Sequence, residues 1–122
     1  MSGIYIHVPF CKSKCTYCDF ASYPKEIGKA ESYFACLYRE LRGQGLKYKD
    51  KVFDTVYVGG GTPSVVPASY IVGAIKQVKK CFKLAENPEI TIELNPGTVD
   101  EDKIKQYKAA GINRFSVGLQ TG

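Results

Sequence analysis

Histidine occurs once in the 122 residues, and low-complexity tracts and fixed-period repeats are missing altogether. No apolar run approaches the roughly 20 residues that a membrane helix needs. The N-terminus shows no basic stretch followed by an apolar one, so neither a secretory signal nor a transmembrane span is expected. Also missing is a basic stripe interleaved with aromatic residues. The formal charge of +5 comes from lysines and arginines scattered over several segments, among them Lys47, Lys49, Lys51, Lys76, Lys79 and Lys80. Such runs read as solvated faces, and nucleic acid is not an expected partner. The chain is long enough for one domain with its own core and too short for two of ordinary size. Its 44% apolar and 24% charged residues suit a soluble globular α/β protein.

Thiol is what the chain has in plenty. Five cysteines include three crowded into Cys11-Lys12-Ser13-Lys14-Cys15-Thr16-Tyr17-Cys18. An odd count with this crowding does not suit a disulfide framework, so reduced thiols and a cytoplasmic location are expected. Three readings of the triplet stand open on the residues alone. Structural zinc needs a fourth ligand, and His7 lies in a strand pattern rather than on a ligand knuckle. A redox pair of Cys15 and Cys18 lacks a helix starting at its first cysteine and leaves Cys11 unexplained. A 4Fe-4S cluster uses all three thiolates and keeps one iron open to substrate. Cys36 and Cys81 are remote from the triplet and read as incidental. Lys12 and Lys14 could dock an acidic electron donor.

Periodicity organises the remainder. Residues 3 to 8 alternate Ile4, Ile6 and Val8 with Tyr5 and His7, a half-buried strand that Pro9 ends. A loop of about fifteen residues follows and closes at Pro24, a length that usually signals function. From Lys29 to Gln44 the residues Ala30, Phe34, Leu37 and Leu41 make one helical stripe, with Gly43 and Gly45 expected to stop it. Val52 to Val58 is a second strand ending in Gly59-Gly60-Gly61-Thr62-Pro63-Ser64. A second helix is expected over residues 67 to 83, and a third strand over Glu89 to Leu94, broken by Asn95-Pro96-Gly97. Thr98-Val99-Asp100-Glu101 has the form of a capping box opening a third helix, which stops at Gly111. Residues 113 to 119 form the last strand. Strand and helix thus alternate through four parallel strands, as in an open doubly wound sheet or part of a barrel.

In either architecture chemistry collects at the carboxyl ends of the strands. That rule gathers the cysteine loop, the glycine run, Glu93 with Asn95, and Gly118-Leu119-Gln120 on one rim. The glycine run is neither a dinucleotide fingerprint nor a P-loop, and by itself reads as a tight turn. Its lack of side chains would also let a ligand approach the backbone, with the Thr62 hydroxyl beside it. Glu93 is either a solvated strand-end carboxylate or, if its face points into a barrel, the partner of an ammonium or ribose. His7 reads equally as a hydrogen-bonded interior histidine or a substrate contact.

Cys11-x-x-x-Cys15-x-Tyr17-Cys18 resembles the signature of the radical S-adenosylmethionine (SAM) enzymes. With Tyr5-Ile6-His7-Val8-Pro9-Phe10, the glycine run, Glu93-Leu94-Asn95-Pro96 and Ser116-Val117-Gly118-Leu119-Gln120, the chain resembles one group of that family. This group holds the oxygen-independent coproporphyrinogen III oxidases and their heme chaperone relatives. The resemblance implies an α/β fold in which these residues form the first four strands of a partial TIM-like barrel. It implies a 4Fe-4S cluster on Cys11, Cys15 and Cys18, with SAM on the fourth iron. It implies SAM binding by Tyr5, Gly60 and Glu93, with Tyr17, Gly61, Thr62 and Gln120 lining the same site or a second SAM site. The implied chemistry is one-electron reduction of the sulfonium, fed by a flavodoxin- or ferredoxin-type donor, with heme or a porphyrinogen as partner. Two departures bear on this. Phe20 stands where the oxidases carry a further cysteine, which favours the heme chaperone branch. The sequence also stops at Gly122, where the family continues through further strands and a C-terminal domain. A fragment with an uncovered strand edge would be marginal or aggregation-prone.

Overall fold

The computed structural model describes residues 2–10 and 23–117. Seven elements alternate along them: β1 (Ser2–Val8), α1 (Tyr23–Lys47), β2 (Val52–Gly60), α2 (Ala68–Cys81), β3 (Lys83–Leu94), α3 (Glu101–Ala110) and β4 (Arg114–Val117). The strands form one parallel sheet in the order β1-β2-β3-β4. Strand order here equals chain order. Because crossovers between parallel strands are right-handed, such an order places every helix on the same face of the sheet. Accordingly α1 packs on α2 and α2 on α3. A doubly wound sheet would reverse direction at a switch point, so the barrel-type alternative is the one realised.

The helical side of the sheet carries the core. Ile6 and Val8, Val56 and Val58, and Ile90, Ile92 and Leu94 pack beneath Phe34, Leu37, Leu41, Ile71, Ile75, Val78 and Tyr107. Each fully buried aliphatic side chain there contributes roughly 1.5–3 kcal/mol relative to exposure. By strand alternation Tyr5, His7, Tyr57, Gly59, Thr91, Glu93, Arg114 and Ser116 share the opposite face.

Several boundaries differ from the sequence reading. Helix α1 begins at Tyr23 and runs through Gly43 and Gly45 to Lys47. Pro24 therefore lies in its first turn, where the absent N–H costs nothing. Gly45 serves packing instead of termination: a Cβ there would stand 2.5 Å from the Cys81 carbonyl oxygen, so its absence lets α1 approach the end of α2. Strand β3 starts at Lys83, and its pairing with β2 is interrupted between Leu84 and Glu89, which is where Pro88 lies. Asn113 bridges that irregularity, accepting from Ile90 N–H and donating to the Pro88 carbonyl, both at 2.9 Å. Helix α3 is capped two residues later than the box suggested, Asp100 accepting from Lys103 N–H at 2.9 Å. Gly111 ends α3 as expected. It takes a φ of +112°, and N–H groups of Gly111 and Ile112 return to the Lys108 and Tyr107 carbonyls.

Candidate functional site

The C-terminal ends of β1, β2 and β3 meet at one place. β2 overruns its last apolar residue, Val58, into Gly59 and Gly60, which pair with His7 and Val8 of β1. Gly60 has a φ of +123°, and a Cβ there would stand 2.7 Å from the Val8 oxygen and 3.0 Å from His7 Nδ1. Glycine is required at this position both by its backbone angle and by the close strand. Beyond it Gly61 N–H donates to the Val8 carbonyl (3.0 Å) and Thr62 N–H to the Phe10 carbonyl (2.6 Å). The glycine run thus grips the segment that leads directly into Cys11.

Glu93 closes the same corner from β3. Its Oε1 accepts from Gly60 N–H (3.2 Å) and its Oε2 from the Tyr57 hydroxyl (2.7 Å). The side chain is half-buried, and its partners are a hydroxyl and a backbone amide rather than solvent alone. The hydrogen bond to Glu93 is the main cause that raises the Tyr57 phenol above its ordinary range; burial adds to it, while Ser116 and Arg114 oppose it. Tyr5 stacks on Tyr57, ring centres 6.0 Å apart, and its hydroxyl lies 3.3 Å from His7 Nδ1. His7 is exposed among the described residues.

Below the rim, a short 3-10 turn, Pro63–Val65, carries the chain from the glycine run toward α2. Ser64 is fully buried; its hydroxyl accepts from Asn95 N–H at 3.3 Å, and its carbonyl accepts from Lys103 Nζ. Burial lowers the Lys103 pKa, against the opposing pull of Asp100. On the other side the Tyr33 hydroxyl of α1 donates to the His7 carbonyl, and its ring meets Phe10 edge-on at 5.7 Å. The turn and the exit from β1 are held by side chains of α3 and α1, and the end of β3 is held by the turn.

Of the residues named from sequence, Tyr5, Gly60, Gly61, Thr62 and Glu93 come together here, Thr62 being buried. Cys11, Cys15, Cys18, Tyr17, Phe20 and Gln120 lie outside the described residues, as do Lys12 and Lys14. Among the described residues no group of three His, Cys, Asp or Glu side chains could hold a metal. Cys36 is exposed and Cys81 half-buried, both away from this corner. Sequence reasoning did not single out Tyr57, Tyr33, Ser64 or Lys103. The signal for Tyr57 was present in the two-residue period, which puts it on the same face as Gly59; the other three depend on which helix packs where.

Residues 5–122 match the family described as the Radical SAM superfamily. Over 98% of its length the chain is 40% identical to the heme chaperone HemW of Buchnera aphidicola subsp. Schizaphis graminum. It is 39% identical to that of Haemophilus influenzae and 37% to that of Escherichia coli. It covers 32% of each of these three proteins, and so spans about a third of the length of the curated relatives it matches. Among solved structures it resembles the radical SAM coproporphyrinogen III oxidase HemN of Escherichia coli with a TM-score of 0.83 and 27% identity. That match covers 98% of this chain and 28% of the other.

Proposed function

The chain belongs to the radical SAM superfamily, and from that premise we propose that it is the N-terminal part of a radical SAM core of the heme chaperone type. Membership implies SAM and a 4Fe-4S cluster as the cofactors. Cys11, Cys15 and Cys18 hold the cluster, three thiolates leaving one iron for SAM. Tyr5, Gly60 and Glu93 bind SAM, and Tyr17, Gly61, Thr62 and Gln120 line that site or a second one. The observation that carries this reading is the grip of Gly61 and Thr62 on the Val8 and Phe10 carbonyls, with Glu93 bonded to Gly60 beside it. It brings the base of the cysteine loop, the side-chain-free run and a carboxylate to one corner.

The fit can be judged from the donors present. At Gly60 the Val8 backbone fills the side that a Cβ would take and the amide is already bonded to Glu93, so what this corner offers a ligand is the carboxylate. Glu93 keeps lone pairs beyond the two already engaged, suited to ammonium or hydroxyl donors. A reduced cluster, when bound, supplies the single electron that cleaves a sulfonium. The chain's own part is to orient the cofactors and to exclude water. Lys12 and Lys14, between Cys11 and Cys15 in the sequence, suit an acidic flavodoxin- or ferredoxin-type donor. Among the described residues no helix is long and apolar enough to cross a membrane; thiolate ligation requires a reducing compartment, and we assign the cytoplasm.

Anaerobic reconstitution of the full chain with iron and sulfide is expected to give a brown protein. On reduction, added SAM should alter the electron paramagnetic resonance spectrum of its cluster. Colourless protein that binds only zinc would refute the reading. The heme chaperone assignment rests on the similarity to HemW proteins and on Phe20. Its test is a heme titration followed by the Soret band. The structural likeness to HemN favours a second reading, oxidative decarboxylation of a porphyrinogen. Carbon dioxide release from coproporphyrinogen III, without stable heme binding, would replace the first reading with that one.

A further inference from the structure

Both oxygens of the Glu93 carboxylate are engaged before any ligand arrives, one by a backbone amide and the other by a side chain whose place is itself fixed. Tyr57 precedes Gly59 by two residues on the same face, and Glu93 approaches from the adjacent strand. The two side chains meet across Gly59, where an added Cβ would stand 2.9 Å from both Glu93 Oε1 and Tyr57 Cε1. The missing side chain is what lets them close to 2.7 Å. On its other flank the Tyr57 ring is stacked by Tyr5 at an interplanar angle of 17°. The phenol is therefore held on both sides and presents its hydroxyl to one carboxylate oxygen.

From this geometry we propose that Tyr57 is a positioning residue for Glu93, setting the direction in which that carboxylate offers its remaining lone pairs to the hydrogen-bond donors of SAM. The inference rests on the SAM-binding reading of this corner. An ionised carboxylate accepts at about four lone-pair sites, of which Tyr57 and Gly60 take two. The other two are then aimed without the ligand having to order the side chain, a cost that would otherwise come out of its affinity. With Glu93 raising the phenol pKa above its ordinary range, Tyr57 stays a donor throughout the neutral pH range. Tyr57 does not itself need to touch the ligand.

The test is a double-mutant cycle on the cluster-reconstituted full chain, with SAM affinity read by calorimetry. Tyr57→Phe removes one oxygen and keeps the stacked ring, so iron content and melting temperature should match the wild type. It should weaken SAM binding about five- to tenfold, in the range of one ordinary net hydrogen bond. In a Glu93→Ala background the same substitution should change affinity less than twofold, because its effect passes through the carboxylate. Gly59→Ala, which retains both side chains but separates them, should reproduce the loss. Wild-type affinity in Tyr57→Phe, or an equal loss in both backgrounds, overturns the inference while leaving SAM binding intact. Absence of SAM binding by the wild type would overturn the functional reading, and this inference with it.

Discussion

Tyr107 is the largest side chain that the core encloses completely, and its hydroxyl has no hydrogen-bond partner among the described residues. A buried unsatisfied hydroxyl costs about 1–3 kcal/mol. Tyr107→Phe is therefore expected to raise stability at neutral pH by about 1 kcal/mol, measured by urea unfolding. Burial first, and the charge of Asp100 second, push the phenol up from 10.0 to about 12. The sign follows from linkage. Below pH 10 both folded and unfolded chains keep the proton, and the stability is fully present. Between 10 and about 12 the unfolded chain ionises first, so stability falls by about 1 kcal/mol per pH unit. The phenylalanine variant lacks this loss, and the gap between the two proteins should widen from pH 8 to pH 11. An unchanged gap would show that the hydroxyl is solvated in the folded state. Gly60 makes the opposite kind of demand: its identity was conspicuous in the sequence, but the reason for it, the Val8 backbone 2.7–2.8 Å from where a Cβ would stand, depends on strand pairing.

At the level of elements, α3 is defined at both ends by its caps. Asp100 serves one free N–H at the start, and Gly111 in a left-handed conformation returns two at the end, so the helix owes little to its weakly apolar sequence. Asp100→Ala should cost about 1 kcal/mol in thermal or urea unfolding and fray the first turn of α3. Lys103 lies in that turn and holds the Ser64 carbonyl, so the substitution should also loosen the turn after the glycine run. Losing the cap without destabilisation would mean that Glu101 or Asp102 replaces it. Element type was legible from sequence pattern for all seven segments. Boundaries were less so. Gly43 and Gly45 look like stops when only backbone preference is considered, but α1 continues because Gly45 admits Cys81 of α2 at close range. The start of β3 was hidden because Pro88 interrupts a strand whose irregularity Asn113, twenty-five residues on, repairs.

At the scale of the whole molecule, β2 and β3 each pair on both sides, while β1 and β4 pair on one side among the described residues. Native-state hydrogen exchange should therefore protect Val56, Val58, Ile90 and Ile92 most, and Phe115 and Val117 much less. Equal protection across all four strands would show that the outer strands are covered by other parts of the protein. The strand order also explains how much of the site could be read in advance. The cysteine triplet stood out because its residue type and spacing are rare, while Gly60, Gly61, Thr62 and Glu93 were picked out by the resemblance and by the rule that sites gather at the carboxyl ends of parallel strands. Local pattern alone therefore determined the alternation of strands and helices, the buried faces, and the family to which the chain belongs. The tertiary structure decided that the sheet runs in chain order with helices on one side, and that Tyr57 reaches Glu93 across Gly59. Such facts rest on contacts between residues more than twenty positions apart, whose registers are set by strand pairing and packing and leave no trace in local sequence.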